Sequence, residues 1–134
     1  MDLKLSTSLQ YGLSALGYLA ANHHERPVMV REICRECGLP YDSTMKVMRQ
    51  LTRARLVNAH RGSKGGFTLR ASAGDISFLK IIEAIEGPIE TGDRRDGNEL
   101  QPICRSAIGV LNDARSAVEQ VYGKLTLKDL SSRR

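Results

Sequence analysis

Residues 33–69 read ICRECGLPYDSTMKVMRQLTRARLVNAHRGSKGGFTL, and this stretch decides the fold. A short helix is expected over 30–37, with Val30 and Ile33 inward. It ends where Gly38 offers a residue that tolerates a left-handed backbone. Asp42 or Ser43 is a fitting cap for a second helix over 43–54. The inward face of that helix is Thr44, Val47, Met48 and Leu51, at helical spacing. Its outer face carries Ser43, Lys46, Arg49, Gln50 and Arg53, and the first three form one stripe. Leu56-Val57 then opens a strand, and Phe67-Thr-Leu69 returns with alternation. Between them lies a tip, Arg61-Gly-Ser-Lys-Gly-Gly66, whose glycines allow a tight turn and close approach to a partner. The outline is a helix-turn-helix followed by a β-hairpin wing. A nucleotide phosphate loop fits less well, because the G-x-x-x-x-G-K-[ST] spacing is absent and no helix begins after the glycines.

The positive charge sits in the same stretch. From Arg31 to Arg70 there are nine Lys/Arg against three acids, a net of +6, whereas the whole chain carries +5. A duplex presents one phosphate charge per ~1.7 Å of axis, so a focused basic patch is the expected footprint of a DNA reader. A solvated charged face is the plainer reading of such a stripe. The wing directly after it favours use as a recognition helix.

At 134 residues the chain has room for one domain, with or without an appended dimerisation element. Apolar residues make up 41% and aromatics only 4%, with no Trp, so aliphatic packing must carry the core. No apolar run approaches the ~18 residues that span a bilayer, and Met1-Asp-Leu-Lys does not resemble a signal peptide. The expected compartment is the cytoplasm, with no membrane partner. There Cys34, Cys37 and Cys104 are expected as thiols or ligands rather than disulfides.

Working outward, residues 8–24 read as a helix capped by Ser6, Thr7 or Ser8, with His23 and His24 suiting its C-terminal dipole. Val28 to Val30 is a short extended or turn segment. Ser77 caps a helix running to about Glu86, with Phe78, Ile81, Ile82 and Ile85 inward, and Gly87-Pro88 stops it. Residues 88–101 are polar and charged and read as a loop. Pro102 opens a long helix to about Val121 or beyond. Its Ala107, Leu111, Ala114, Val118, Val121 and Leu125 recur at heptad-like spacing, which suits crossing a second copy. Thr126 caps a last turn over 127–130. The expected organisation is a winged helix-turn-helix over 1–87, a loop over 88–101, and a dimerisation helix with its tail over 102–134. The fold class is mainly α with a small β-hairpin wing.

These residues together resemble the Rrf-type family of bacterial winged helix-turn-helix regulators, nearly end to end. The resemblance is carried by Leu5-Ser-Thr7 with Tyr11 and Leu19-Ala20, by Ile33 to Leu39, and by Leu51 and Leu56-Val57. Arg61-Gly62 with Gly65-Gly66-Phe67, Ile76 to Gly87 and Thr126-Leu127 complete it. It implies a homodimer whose long C-terminal helices cross, with two recognition helices in successive major grooves of a near-palindromic operator. Repression is the expected role. By the same resemblance Ser43, Thr44, Lys46 and Arg49 face bases and phosphates, while Arg61, Ser63 and Lys64 act at the wing. Met45 stands where some relatives carry an acid, and Ser8-Leu9-Gln10 replaces the family's basic pair. These departures leave room for a dimeric interaction module that has kept the fold and lost DNA reading. Nothing in the chain resembles a nucleophile–base pair or a catalytic metal triad, so an enzyme is not expected.

Many members of that family hold an iron–sulfur cluster on three cysteines placed before the long helix. Here only Cys104 remains, the stretch Gly92 to Asn98 has no cysteine, and the positions that resemble further ligands are Ala107 and Gln10. A cluster needs roughly four ligands, mostly thiolates, so no cofactor is expected at the standard site. Cys34 and Cys37 form a C-x-x-C on one helix face, without the second pair of a structural zinc site. Three readings stay open: inert helix cysteines, thiol-based redox sensing led by Cys104, and a cross-subunit iron–sulfur site joining Cys104 with Cys34 or Cys37.

Overall fold

The structure is a computed structural model that describes residues 4–22, 26–88 and 100–132. The expectations for His23, His24 and most of the loop over 88–101 fall outside the described residues. Among the described residues six α-helices and one hairpin follow in order, with a single 3-10 turn (Ala73–Asp75). They are α1 (Thr7–Ala21), α2 (Val30–Cys37), α3 (Tyr41–Arg53), β1 (Val57–His60), β2 (Gly66–Leu69), α4 (Phe78–Glu86), α5 (Pro102–Lys124) and α6 (Leu127–Ser132).

Each boundary has a local cause. Ser6 caps α1, its hydroxyl accepting from Leu9 N at 3.1 Å and donating to the carboxylate of Glu86. Gly38 ends α2 at φ 68, the left-handed conformation expected of it. Ser77 caps α4 by accepting from Lys80 N at 3.2 Å. At α6 the Thr126 hydroxyl accepts from Asp129 N and the Asp129 carboxylate accepts from Thr126 N, both at 3.1 Å, a reciprocal capping box. α3 departs from expectation. It starts at Tyr41 with Pro40 as its N-cap, and neither Asp42 nor Ser43 caps it.

The core lies where α1, α3 and α4 pack together. Leu16, Ile33, Met48, Leu51, Ile76 and Ile81 are fully buried there. Each such aliphatic contributes roughly 1.5–3 kcal/mol through removal from water. Gly12 makes the crossing possible, because a Cβ at that position would stand 3.1 Å from Val47 Cγ1 and closer still to Ile85 Cδ1.

Two backbone bridges tie distant segments together. The antiparallel hairpin pairs Val57 with Leu69 and His60 with Gly66, and Val28 adds a third partner by bridging Phe67. Val28 N donates to Phe67 O at 2.9 Å and Phe67 N to Val28 O at 2.8 Å. The second bridge joins Ser77 to Thr126, where Phe78 N donates to Leu125 O and Leu127 N to Ile76 O, each at 2.8 Å. Leu127 is buried among the winged-helix residues, so α6 packs on that core.

α5 has no fully buried residue. Its inner side uses Tyr122, which meets the Phe78 ring edge-on at 5.0 Å, with Val118 and Leu125 half-buried. The expected stripe therefore mixes two faces. The side left open is Ile103, Ala107, Val110, Ala114, Ala117 and Val121, again at heptad spacing.

Candidate nucleic-acid interface

α3 is held firmly from behind. Val47, Met48 and Leu51 are buried, and Gln50 Nε2 donates to Ile85 O at 3.3 Å. With that face fixed, Ser43, Lys46 and Arg49 are exposed along one outer stripe, as the sequence indicates. Thr44 is a correction. It is 0% exposed and shares the inward face of Val47, Met48 and Leu51, about 100° round the helix from Ser43. Its Oγ1 is buried without a hydrogen-bond partner. A side chain so placed cannot touch DNA.

The wing stands beside the start of this helix. Arg61, Ser63 and Lys64 are exposed at its tip. Gly65 N donates to Gly62 O at 2.9 Å and closes the turn. Gly66 takes φ 142, and a Cβ there would lie 2.5 Å from Val28 O, so only glycine lets the wing strand pass this close to the connector. An open crevice of about 480 Å³ separates the wing from α3. Met29, Arg31, Tyr41 and Met45 line one side of it, and His60, Gly62 and Gly65 the other. The Ser43, Lys46 and Arg49 stripe and the wing tip thus lie on the two elements that border this crevice. Met29 and Tyr41, which line this crevice, were not among the residues expected there from the sequence. An apolar residue where a helix should be capped was the signal available.

Glu32 of α2 ties that helix to α1. Its carboxylate accepts from Tyr18 Oη at 2.7 Å and from Arg26 at 3.1 Å. The Tyr18 bond, with further help from Arg26 against the opposing effect of burial, holds the Glu32 carboxyl below its ordinary range. Hydrogen bonding to that carboxylate pushes the Tyr18 phenol up.

Cys34 and Cys37 are half-buried and Cys104 is exposed near the start of α5. Cys37 Sγ lies 3.9 Å from Ser14 O on α1. Burial, then the neighbouring Cys34 and Glu36, push its thiol up, the opposite of what a reactive thiolate needs. Among the described residues no three His, Cys, Asp or Glu side chains come together as a metal site.

A family model described as Rrf2, iron-dependent transcriptional regulator, matches residues 5–133. The chain belongs to the Rrf2 family. The transcriptional regulator CymR of Bacillus subtilis is 32% identical over 130 residues, covering 97% of this chain and 91% of that protein. NsrR of Halalkalibacterium halodurans is 27% identical over 132 residues, covering 96% and 90%. Among solved structures, that of B. subtilis CymR, described as its global cysteine regulator, superposes with a TM-score of 0.77 at 30% identity, covering 98% of both chains. IscR of T. potens gives 0.71 at 28% identity, covering 97% and 87%. This Rrf2 chain is thus a transcriptional regulator by family, and its relatives are regulators rather than enzymes. No helix among its described residues is long and apolar enough to cross a membrane.

Proposed function

We propose that this Rrf2 regulator is a homodimer that reads a near-palindromic DNA operator and represses transcription by occupying it. One observation carries the reading. Ser43, Lys46 and Arg49 are exposed on α3 and Arg61, Ser63 and Lys64 at the wing tip, the two elements whose Tyr41, Met45, Gly62 and Gly65 line a single crevice. Lys46 and Arg49 suit base acceptors and phosphates in the major groove, and Arg61 and Lys64 suit phosphates beside it. Dimerisation is supported by the unpartnered heptad face of α5, where Ile103 is 78% and Val110 67% exposed.

The test is binding to the chain's own promoter DNA at several salt concentrations. Affinity must fall as salt rises, because cations that neutralise phosphates release counterions. Arg49→Ala and Lys64→Ala should each lower the salt slope by about one, the second weakening all sequences alike. A dimer that shows no operator preference in selection from random DNA would replace this reading with an interaction module. Any thiol-based response is assigned to Cys104, the exposed thiol. Cys104→Ser should then abolish an oxidation-dependent change in DNA affinity, and an unaltered change would refute the assignment.

A further inference from the structure

We propose that the crevice between α3 and the wing reads the C5-methyl groups of thymine, through Met29, Tyr41 and Met45. The inference rests on the DNA-reading role above and adds a base preference to it. Met29 is 50% and Tyr41 47% exposed, both large apolar side chains left in water. Single exposed apolar residues are ordinary on any surface. Here two of them share one crevice with the half-buried Met45. Tyr41 and Met45 are four residues apart on α3, so they stack on the same side of the helix.

Folding does not account for the placement. Met29 is the N-cap of α2 and makes no side-chain cap bond. Ser, Thr, Asp or Asn there would satisfy a free backbone N–H, and methionine forgoes that stabilisation. Tyr41 is the first residue of α3 and spends nearly half its surface in water.

The opposite wall is mostly backbone. Gly62, Gly65 and Gly66 with Ala59 leave few side chains to keep a partner at a distance. The rim is cationic. Arg31 lines the crevice, and the exposed Lys46, Arg61 and Lys64 are each next in sequence to a lining residue. An apolar floor within a cationic rim suits an occupant that is anionic outside and apolar at one point. In the major groove only thymine offers such a point, its C5 methyl, among edges that are otherwise donors and acceptors. An apolar peptide would gain nothing from four cations around it.

The experiment uses the full chain and an operator selected from random DNA, with each thymine replaced in turn by uracil, which removes the methyl alone. At the positions facing the crevice, wild type should bind the uracil operator about fourfold more weakly per methyl lost. Tyr41→Ser and Met29→Ser should bind thymine and uracil operators alike, at the weaker level, with the salt slope retained. Met29→Ser also installs a good cap, so loss of folding cannot explain its result. Equal binding of thymine and uracil operators by wild type at every position overturns the inference while leaving DNA reading intact. Failure to select any operator, or affinity indifferent to salt, overturns both.

Discussion

Replacing Thr44 with Val should stabilise the protein, although resemblance to the family implies that Thr44 contacts DNA. Thr44 is 0% exposed and its Oγ1 has no hydrogen-bond partner. Valine has nearly the same shape, so the packing against Val47, Met48 and Leu51 is kept. What changes is the hydroxyl, whose burial without a partner costs about 1–3 kcal/mol in proteins. β-Branched Val and Thr differ little in helix propensity, so that factor nearly cancels. The expected gain is about 1 kcal/mol, or roughly 3–5 °C in Tm for a chain of this size. Calorimetry at one fixed protein concentration measures it, since the proposed dimer would make Tm depend on concentration. DNA affinity and operator preference should stay as in wild type. A loss of 1 kcal/mol or more would show that the hydroxyl is bonded, and a changed operator preference would show that Thr44 reaches DNA. Either result refutes the placement of this face.

Three further outcomes are expected. Gly66→Ala puts a Cβ 2.5 Å from Val28 O and 2.6 Å from Val28 C at φ 142, so the wing strand must leave the connector. Urea denaturation should show a loss of at least about 2 kcal/mol, together with weaker DNA binding. Folding stabilises the ionised Glu32, whose carboxyl lies below the ordinary 4.5. That contribution is complete above about pH 4.5 and fades as acid titrates the group below it, so Glu32→Gln should flatten the acid limb of a Tm–pH profile. Val110→Asp places a charge on the open α5 face, where Val110 is 67% exposed within one chain. Sedimentation should show a folded monomer, with self-association weakened at least about tenfold.

Much of this structure is written locally in the chain. Gly38, Ser77, Gly87 and the wing glycines act through their own backbone or their nearest neighbours, so their roles are legible without the fold. The ends of α2 and α4 follow from them. The start of α3 was not legible in that way. Asp42 and Ser43 are better caps than proline, but Leu39 packs against the core and Pro40 is extended at ψ 138, so the helix begins at Tyr41. Thr44 was assigned to both faces because family likeness and helical periodicity disagree there, and burial decides for periodicity. The heptad-like stripe expected on α5 mixes two sides, since its Val118 and Leu125 are half-buried while Ile103 and Val110, outside it, are exposed. The pairings of Val28 with Phe67 and of Ser77 with Thr126 join segments some forty to fifty residues apart. No local pattern announces them.

The Ser77–Thr126 bridge gives α5 one fixed end. Its C-terminus is sewn to the start of α4, and α4 carries the Ile85 carbonyl that holds Gln50 of α3. From that pivot 23 residues of helix run out roughly 34 Å, close to one turn of duplex DNA. Cys104 rides near the far tip. A lever of this length turns a 5° rotation at its root into about 3 Å at its tip, and the relation runs both ways. In the dimer proposed above, a small rearrangement between two such tips would be returned to the pivot as a change in the angle of the reading head, through stiff helix and two backbone bonds.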